Sequence, residues 1–299
     1  MSAHLSWLEA GVVGAMQGIA ELFPISSLGH SVLIPAWVGG SWEHDLNVAS
    51  PESPYLAFIV GLHVATALAL IIFFWRDWVR IIGGLVTSIV HREVRTSDQR
   101  LAWLLVIATI PVGLVGLLLE HWLRTTLGRP VPAAVFLAVN GLILLGAERL
   151  RGADANEDYL DERISGPESD KRLSTMSVPR STLVGAAQIA ALAPGISRSG
   201  ITMVTGMLRG LSREDAARFS FLLATPVILA AGALKLGDLA GPLGDGIRGQ
   251  VLFGSVLSGI GAYLSVRFLT RYFANRSLRP FGIYCLVAGI ASLIWFAVR

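Results

Sequence analysis

The chain has 299 residues, of which 53% are hydrophobic and only 15% charged, with a net charge of +3 and a mean hydropathy of +0.62. Soluble domains carry roughly 25% charged residues, so this composition excludes an ordinary soluble domain and points to lipid. Basic residues in such a chain mostly set topology, so nucleic acid is not an expected partner, and the single cysteine, Cys285, excludes an internal disulfide or a cysteine-built metal cluster.

No lysine or arginine occurs between Met1 and Trp75. The N-terminus therefore lacks the positive region of a cleaved signal and is expected to stay in the mature protein. Residues 5–38 are apolar, too long for one helix, and broken at Pro24 and Pro35, which predicts a hairpin that enters the membrane and turns back. Spans follow at residues 55–75, 101–120 and 131–148, each near the ~20 apolar residues that cross a bilayer. Residues 149–180 contain ADANEDYLDERISGPESDKR, polar and poor in large apolar side chains, and read as a flexible surface loop. A second interrupted stretch, 183–211, breaks at Pro194-Gly195 and at Ser197-Arg198-Ser199. Further spans are predicted at 216–236, 251–269 and 280–298. Gly254, Ser258, Gly259 and Gly261 predict close helix packing in the middle one.

Basic residues alternate from loop to loop. Residues 76–100 hold five arginines, 149–180 six basic residues, 209–218 three and 267–279 four, against Arg124, Arg129 and Arg248 in the alternate loops. The positive-inside rule puts the first set in the cytoplasm and both termini outside. The expected architecture is one all-α integral membrane domain of six transmembrane helices plus two re-entrant helix hairpins in an inverted-topology repeat. Repeat one covers 1–148, a polar cytoplasmic linker 149–180, and repeat two 181–299. QGIAELFPISS (residues 17–27) and QIAALAPGISRS (188–199) echo one another across the halves. Interrupted segments at matching places point to a binding site near the midplane.

The first hairpin carries Gln17 and Glu21 four residues apart, hence on one helix face. A carboxylate inside a membrane costs several kcal/mol unless it is paired, binds a cation or faces water. Arg198, at the break of the second hairpin, is its natural partner, and the pair predicts a shared polar cavity. Arg198 is also a fork of donors suited to phosphate or carboxylate. Ser197, Ser199 and Thr202 add hydroxyls, and the helix beginning after Pro194-Gly195 offers free N–H groups to an anion. Ser26 and Ser27 follow Pro24, and His30, the group that titrates near neutrality, lies three residues beyond Ser27. His63, inside the first span, reads as helix packing, with an accessory polar group as the alternative, and Glu9 as a residue near the outer interface. No GxxxxGK[ST] loop, HExxH helix, CxxC pair or GxSxG elbow occurs.

QGIAELFPISSLGH (residues 17–30), PGISRSGIT (194–202) and GLSREDAARFSFLLATPVI (210–228) closely resemble signature segments of the bacterial undecaprenyl-diphosphate phosphatase family, the bacitracin-resistance membrane phosphatases. The resemblance implies hydrolysis of undecaprenyl diphosphate to undecaprenyl phosphate plus inorganic phosphate, recycling the lipid carrier of cell-wall synthesis. It also implies a multi-pass protein of the bacterial plasma (inner) membrane, a site opening to the extracytoplasmic side, and dependence on a divalent cation, Mg2+ or Ca2+. The family's first signature, an acid or glutamine followed four residues later by glutamate, falls on Gln17 and Glu21 as metal ligands. The polyprenyl diphosphate and the bilayer are then the partners, and a homodimer is compatible with the pattern.

Catalysis of phosphoryl transfer is mostly positioning and charge stabilisation. The expected assignment has Arg198, Ser197, Ser199, Thr202, Gln17 and Ser26 around the diphosphate, and a divalent ion between it and Glu21. His30 is the general acid or base, and Ser27 is the nucleophile or a phosphate donor with water attacking instead. The rivals are a transporter or flippase of polyprenyl phosphate without hydrolysis, since paired broken hairpins are transporter architecture, and an anion/proton antiporter using Glu21 and His30 as a relay.

Overall fold

The computed structural model describes residues 5–47, 54–150, 166–241 and 246–298. The described residues are helical throughout, with no strand among them. The first hairpin is built from α1 (Trp7–Ala20) and α2 (Ser27–Val38). A capping box between Ser6 and Glu9 starts α1, and Glu9 is buried there. Pro35 lies inside α2 without ending it, so the hairpin has one break, at Pro24, rather than two. Short α3 (Ser41–Asp45) follows.

Among the described residues, five helices are long and apolar enough to span a bilayer: Ser97–Leu119, Pro130–Leu150, Arg213–Leu234, Arg248–Tyr272 and Arg279–Val298. They belong to α6 (Ser97–Leu127), α7 (Pro130–Leu150), α11 (Arg213–Ala240), α12 (Arg248–Tyr272) and α13 (Arg279–Val298). The remaining expected span is one limb of a bent pair, α4 (Pro54–Phe73) and α5 (Trp75–His91), which meet at 88°. Residues 76–100, expected as a loop, are therefore mostly helix. The charge count hid an amphipathic pattern in which Val79, Ile82, Val86 and Ile89 line one exposed face while Ile81, Gly84 and Ser88 are buried. The chain is a multi-pass membrane protein.

The expected flexible loop also needs correction. Residues 151–165 lie outside the described residues, but 166–174 form α8 (Gly166–Ser174), packed against α6 and α11. Asp170 on α8 is buried and accepts from Arg218 Nε (2.8 Å) and Nη2 (2.9 Å) and from Arg80 Nη2 (2.7 Å). Arg172 donates Nε and Nη2 to Asp215 at 2.8 and 2.7 Å, which raises the guanidinium above its ordinary pKa. A polar composition folds here because arginines far away in sequence pair with its acids.

The second hairpin comprises α9 (Val178–Ala186), a 3₁₀ stretch η1 (Ala187–Leu192), a break at 193–197 and α10 (Arg198–Leu208). Helix α1 packs on α12, and α7 on α13. Gly14 and Gly18 bring α1 onto α12 so closely that a Cβ on Gly18 would lie 2.2 Å from the Ser258 carbonyl oxygen, the small-residue packing expected of that segment.

Candidate functional site

The breaks of the two hairpins meet. Ser26 caps α2 from a left-handed backbone conformation (φ 68°), a strained one for a residue other than glycine. Its hydroxyl accepts from Gly29 N and, across the interface, from Gly195 N, both at 3.2 Å. Gly195 has φ 110°, and a Cβ there would fall 2.4 Å from the Ala133 carbonyl oxygen, so only glycine fits. Asn140 of α7 staples both breaks: Nδ2 donates to the Pro24 carbonyl (3.1 Å) and Oδ1 accepts from Ser197 N (3.0 Å). Ser199 Oγ donates to the Phe23 carbonyl at 3.2 Å. Each hairpin's second helix therefore starts at this junction, and the N-termini of α2 and α10 bring their positive dipole ends to one place.

Glu21 is the hub. It directly follows α1, at the negative end of that helix, where a carboxylate is disfavoured unless cations or donors compensate. Arg198 Nη2 donates to Glu21 Oε1 at 2.9 Å. The Ser27 hydroxyl and Gln17 Nε2 donate to Oε2, the latter at 3.0 Å. His63 Nε2 stands 3.2 Å from the same oxygen. Two buried polar atoms at this cluster have no hydrogen-bond partner among the described residues, Arg198 Nη1 and Gln17 Oε1. Buried polar groups are nearly always satisfied, so these two atoms beside Glu21 are the donor and the acceptor left for a ligand.

The structure brings Gln17, Glu21, Ser27 and Arg198 into one constellation. It does not bring His30 to Ser27. The His30 Nδ1 lies 2.7 Å from the Ser26 carbonyl, which only accepts, and Nε2 lies 2.7 Å from the Tyr284 hydroxyl of α13. Both ring nitrogens are thus engaged elsewhere, and the group touching the Ser27 hydroxyl is Glu21. The other expected hydroxyls are buried and engaged within the protein. Ser197 caps α10 through Gly200 N (3.1 Å) and pairs with Ser199 Oγ (3.0 Å). Thr202 bonds the Arg198 and Ser199 carbonyls and the Ser220 hydroxyl. Gln188, the echo of Gln17, donates to the Gly185 carbonyl.

His63, read from the sequence as helix packing with an accessory polar role as the alternative, joins this cluster. It lies on α4, and its ring touches both Glu21 and Gln17. A lone histidine in an apolar span has no partner nearby in sequence, so only its mid-span depth, rare for a titratable residue, signalled it. Asn140 and Tyr284 were missed for the same reason.

The chain matches the model of the family described as Bacitracin resistance protein BacA over residues 10–291. It is 62% identical over 310 residues to an undecaprenyl-diphosphatase of Mycolicibacterium paratuberculosis (strain ATCC BAA-968 / K-10), covering 100% of both chains. It is 61% identical over the same length to one of Mycobacterium avium (strain 104), again with 100% of both covered. A more distant relative, undecaprenyl-diphosphatase 2 of Chromobacterium violaceum, is 43% identical over 293 residues, covering 96% of this chain and 98% of its own.

Proposed function

The chain belongs to the bacitracin resistance protein BacA family, and we propose that it hydrolyses undecaprenyl diphosphate to undecaprenyl phosphate and inorganic phosphate. The observation that carries the reading is the Glu21 carboxylate in simultaneous contact with the Ser27 hydroxyl and the Arg198 guanidinium, where two helix N-termini converge. A base touching a nucleophile, beside a charge-neutralising fork, is the minimum equipment for phosphoryl transfer.

In this reading Arg198 keeps Nη2 on Glu21 and offers Nη1 to the terminal phosphate. Glu21 takes the Ser27 proton as Oγ attacks the terminal phosphorus. The bond to the bridging oxygen breaks and undecaprenyl phosphate leaves. The departing undecaprenyl phosphate takes that proton from Glu21. Water then attacks the phosphoserine with Glu21 as base. The proton Glu21 receives passes to Ser27 Oγ as its bond to phosphorus breaks, releasing inorganic phosphate and restoring Ser27. His30 exchanges its proton at Nε2, the nitrogen facing the Tyr284 hydroxyl, rather than at Ser27. Ser197, Ser199 and Thr202 support the site by fixing the start of α10 under Arg198, and Ser26 does the same for α2.

Gln17 Oε1, buried without a partner, and Glu21 fit a divalent cation such as Mg2+ or Ca2+. Both are hard oxygen donors, and such ions bind one or two carboxylates plus substrate phosphates. When bound, the ion would neutralise charge on the diphosphate. The chain sits in the bacterial plasma membrane with the two halves as inverted repeats and the site open to the extracytoplasmic side, a reading supported by the matched hairpins and the alternation of basic residues. Release of inorganic phosphate from undecaprenyl diphosphate by purified protein in detergent, where no gradient exists, tests the function. Lipid movement in vesicles without such release would make the chain a transporter instead.

A further inference from the structure

The Gln17 amide, Glu21 Oε2 and His63 Nε2 form a nearly equilateral triangle. Gln17 Nε2 lies 3.0 Å from Glu21 Oε2 and 3.2 Å from His63 Nε2, and His63 Nε2 lies 3.2 Å from Glu21 Oε2. His63 Nδ1 is 2.9 Å from the Ile59 carbonyl oxygen. That oxygen only accepts, so Nδ1 carries a hydrogen, and the ring, once deprotonated at Nε2 as a metal ligand must be, presents that nitrogen's lone pair to the triangle. A half-turn of the Gln17 amide, which is isosteric in nitrogen and oxygen, places the partnerless Oε1 at the third corner. Three lone pairs then converge on one point.

We propose that His63 is the third protein ligand of the divalent ion, completing a facial Gln17 Oε1, Glu21 Oε2 and His63 Nε2 set. Adjacent ligands of an octahedral ion with bonds of about 2.1 Å are separated by roughly 3.0 Å, and the observed edges fall at that spacing. Ser27, Gln17 and His63 all crowd Glu21 Oε2, and with Gln17 Oε1 and the His63 Nε2 lone pair turned to it only Ser27 donates. A cation between Oε2 and Nε2 resolves that crowding. The site lies at the negative end of α1, where a cation is favoured, and the positive charge of Arg198 is held on the other oxygen, Oε1. The His63 side chain retains 26% exposure, which leaves a face of the set open to substrate oxygens. Carboxylate and imidazole together give a mixed oxygen–nitrogen donor set. Such a set accepts manganese- or zinc-like ions alongside the oxygen-preferring magnesium and calcium.

This inference rests on the divalent-ion reading above, and electron spin-echo spectroscopy of Mn2+ bound to tag-free protein in detergent separates the two. The expected result is a nitrogen modulation on Mn2+ that changes when histidine is 15N-labelled and is lost in His63→Gln while Mn2+ still binds. The labelling reports on the wild-type protein, so it holds even if the variant is unstable, and His63→Asn then serves to localise the signal. Bound Mn2+ with no histidine modulation, or modulation that persists in the variants, overturns the role of His63 and leaves the ion reading standing. Failure to bind Mn2+, both alone and with a methylene-bridged prenyl diphosphonate, overturns both.

Discussion

Ser27 and Glu21 stand on opposite sides of the chain break at Pro24, and the Ser27 hydroxyl donates to Glu21 Oε2. In the proposed reaction this contact joins the base to the nucleophile without help from His30, whose Nε2 is directed to Tyr284. Ser27→Ala is expected to lower kcat by on the order of 10³-fold or more while leaving the melting temperature near that of the wild type. Turnover close to wild type in this variant, measured as phosphate release, would mean that water attacks the phosphorus directly.

The proposed reaction gives Arg198 two tasks that one ammonium cannot perform. Nη2 holds Glu21 at 2.9 Å, and Nη1 has no partner among the described residues. Arg198→Lys keeps the charge and loses the fork. We expect a fall of about 10²-fold or more in kcat/KM, the scale of removing one preorganised donor. Steady-state kinetics of the variant check this, and an unchanged kcat/KM would remove Arg198 from the phosphate site.

Helix packing makes a paired prediction. A methyl group on Gly18 would meet the Ser258 carbonyl oxygen at 2.2 Å, whereas one on Gly146 meets nothing within 4 Å. Gly18→Ala should force α1 from α12 and destabilise by about 1–3 kcal/mol. Gly146→Ala, in a helix facing open space, should be neutral or stabilising by up to about 1 kcal/mol. Thermal unfolding in detergent compares the two directly.

The buried carboxylate of Asp170 anchors α8 through Arg80 and Arg218. Asp170→Asn removes one counter-charge from both guanidinium groups while Arg80 keeps Asp77 and Asp98 and Arg218 keeps Asp77. Breaking a buried pair from one side costs about 3–5 kcal/mol. With these partners kept and Arg80 31% exposed, only the lower part of that range is expected. Limited proteolysis should cut near α8 faster in Asp170→Asn than in the wild type, with Lys171 and Arg172 as new tryptic sites.

The parts of the site that were legible in the sequence are those whose polarity conflicts with their surroundings. Glu21 and Arg198 are charges in apolar hairpins, so each demanded the other, and the structure pairs them. Pro24 and Pro194-Gly195 fixed the breaks because proline and glycine act locally. Contacts between distant elements were not legible. His63 reads as packing until α4 is placed against α1. Likewise α8 reads as disordered composition until Arg80 and Arg218 are brought to Asp170. Helix α5 was hidden for another reason, since arginines counted for topology sit on an amphipathic helix as readily as in a loop.

The central claim is that Ser27, activated by Glu21, attacks the terminal phosphate. Its most direct test is acid quenching of the wild-type protein during turnover of undecaprenyl diphosphate radiolabelled in the terminal phosphate, followed by peptide mapping. The account predicts label on Ser27 that discharges in a chase and is missing from Ser27→Ala. Phosphate released at full rate with no labelled residue, or with label on a residue other than Ser27, would contradict it.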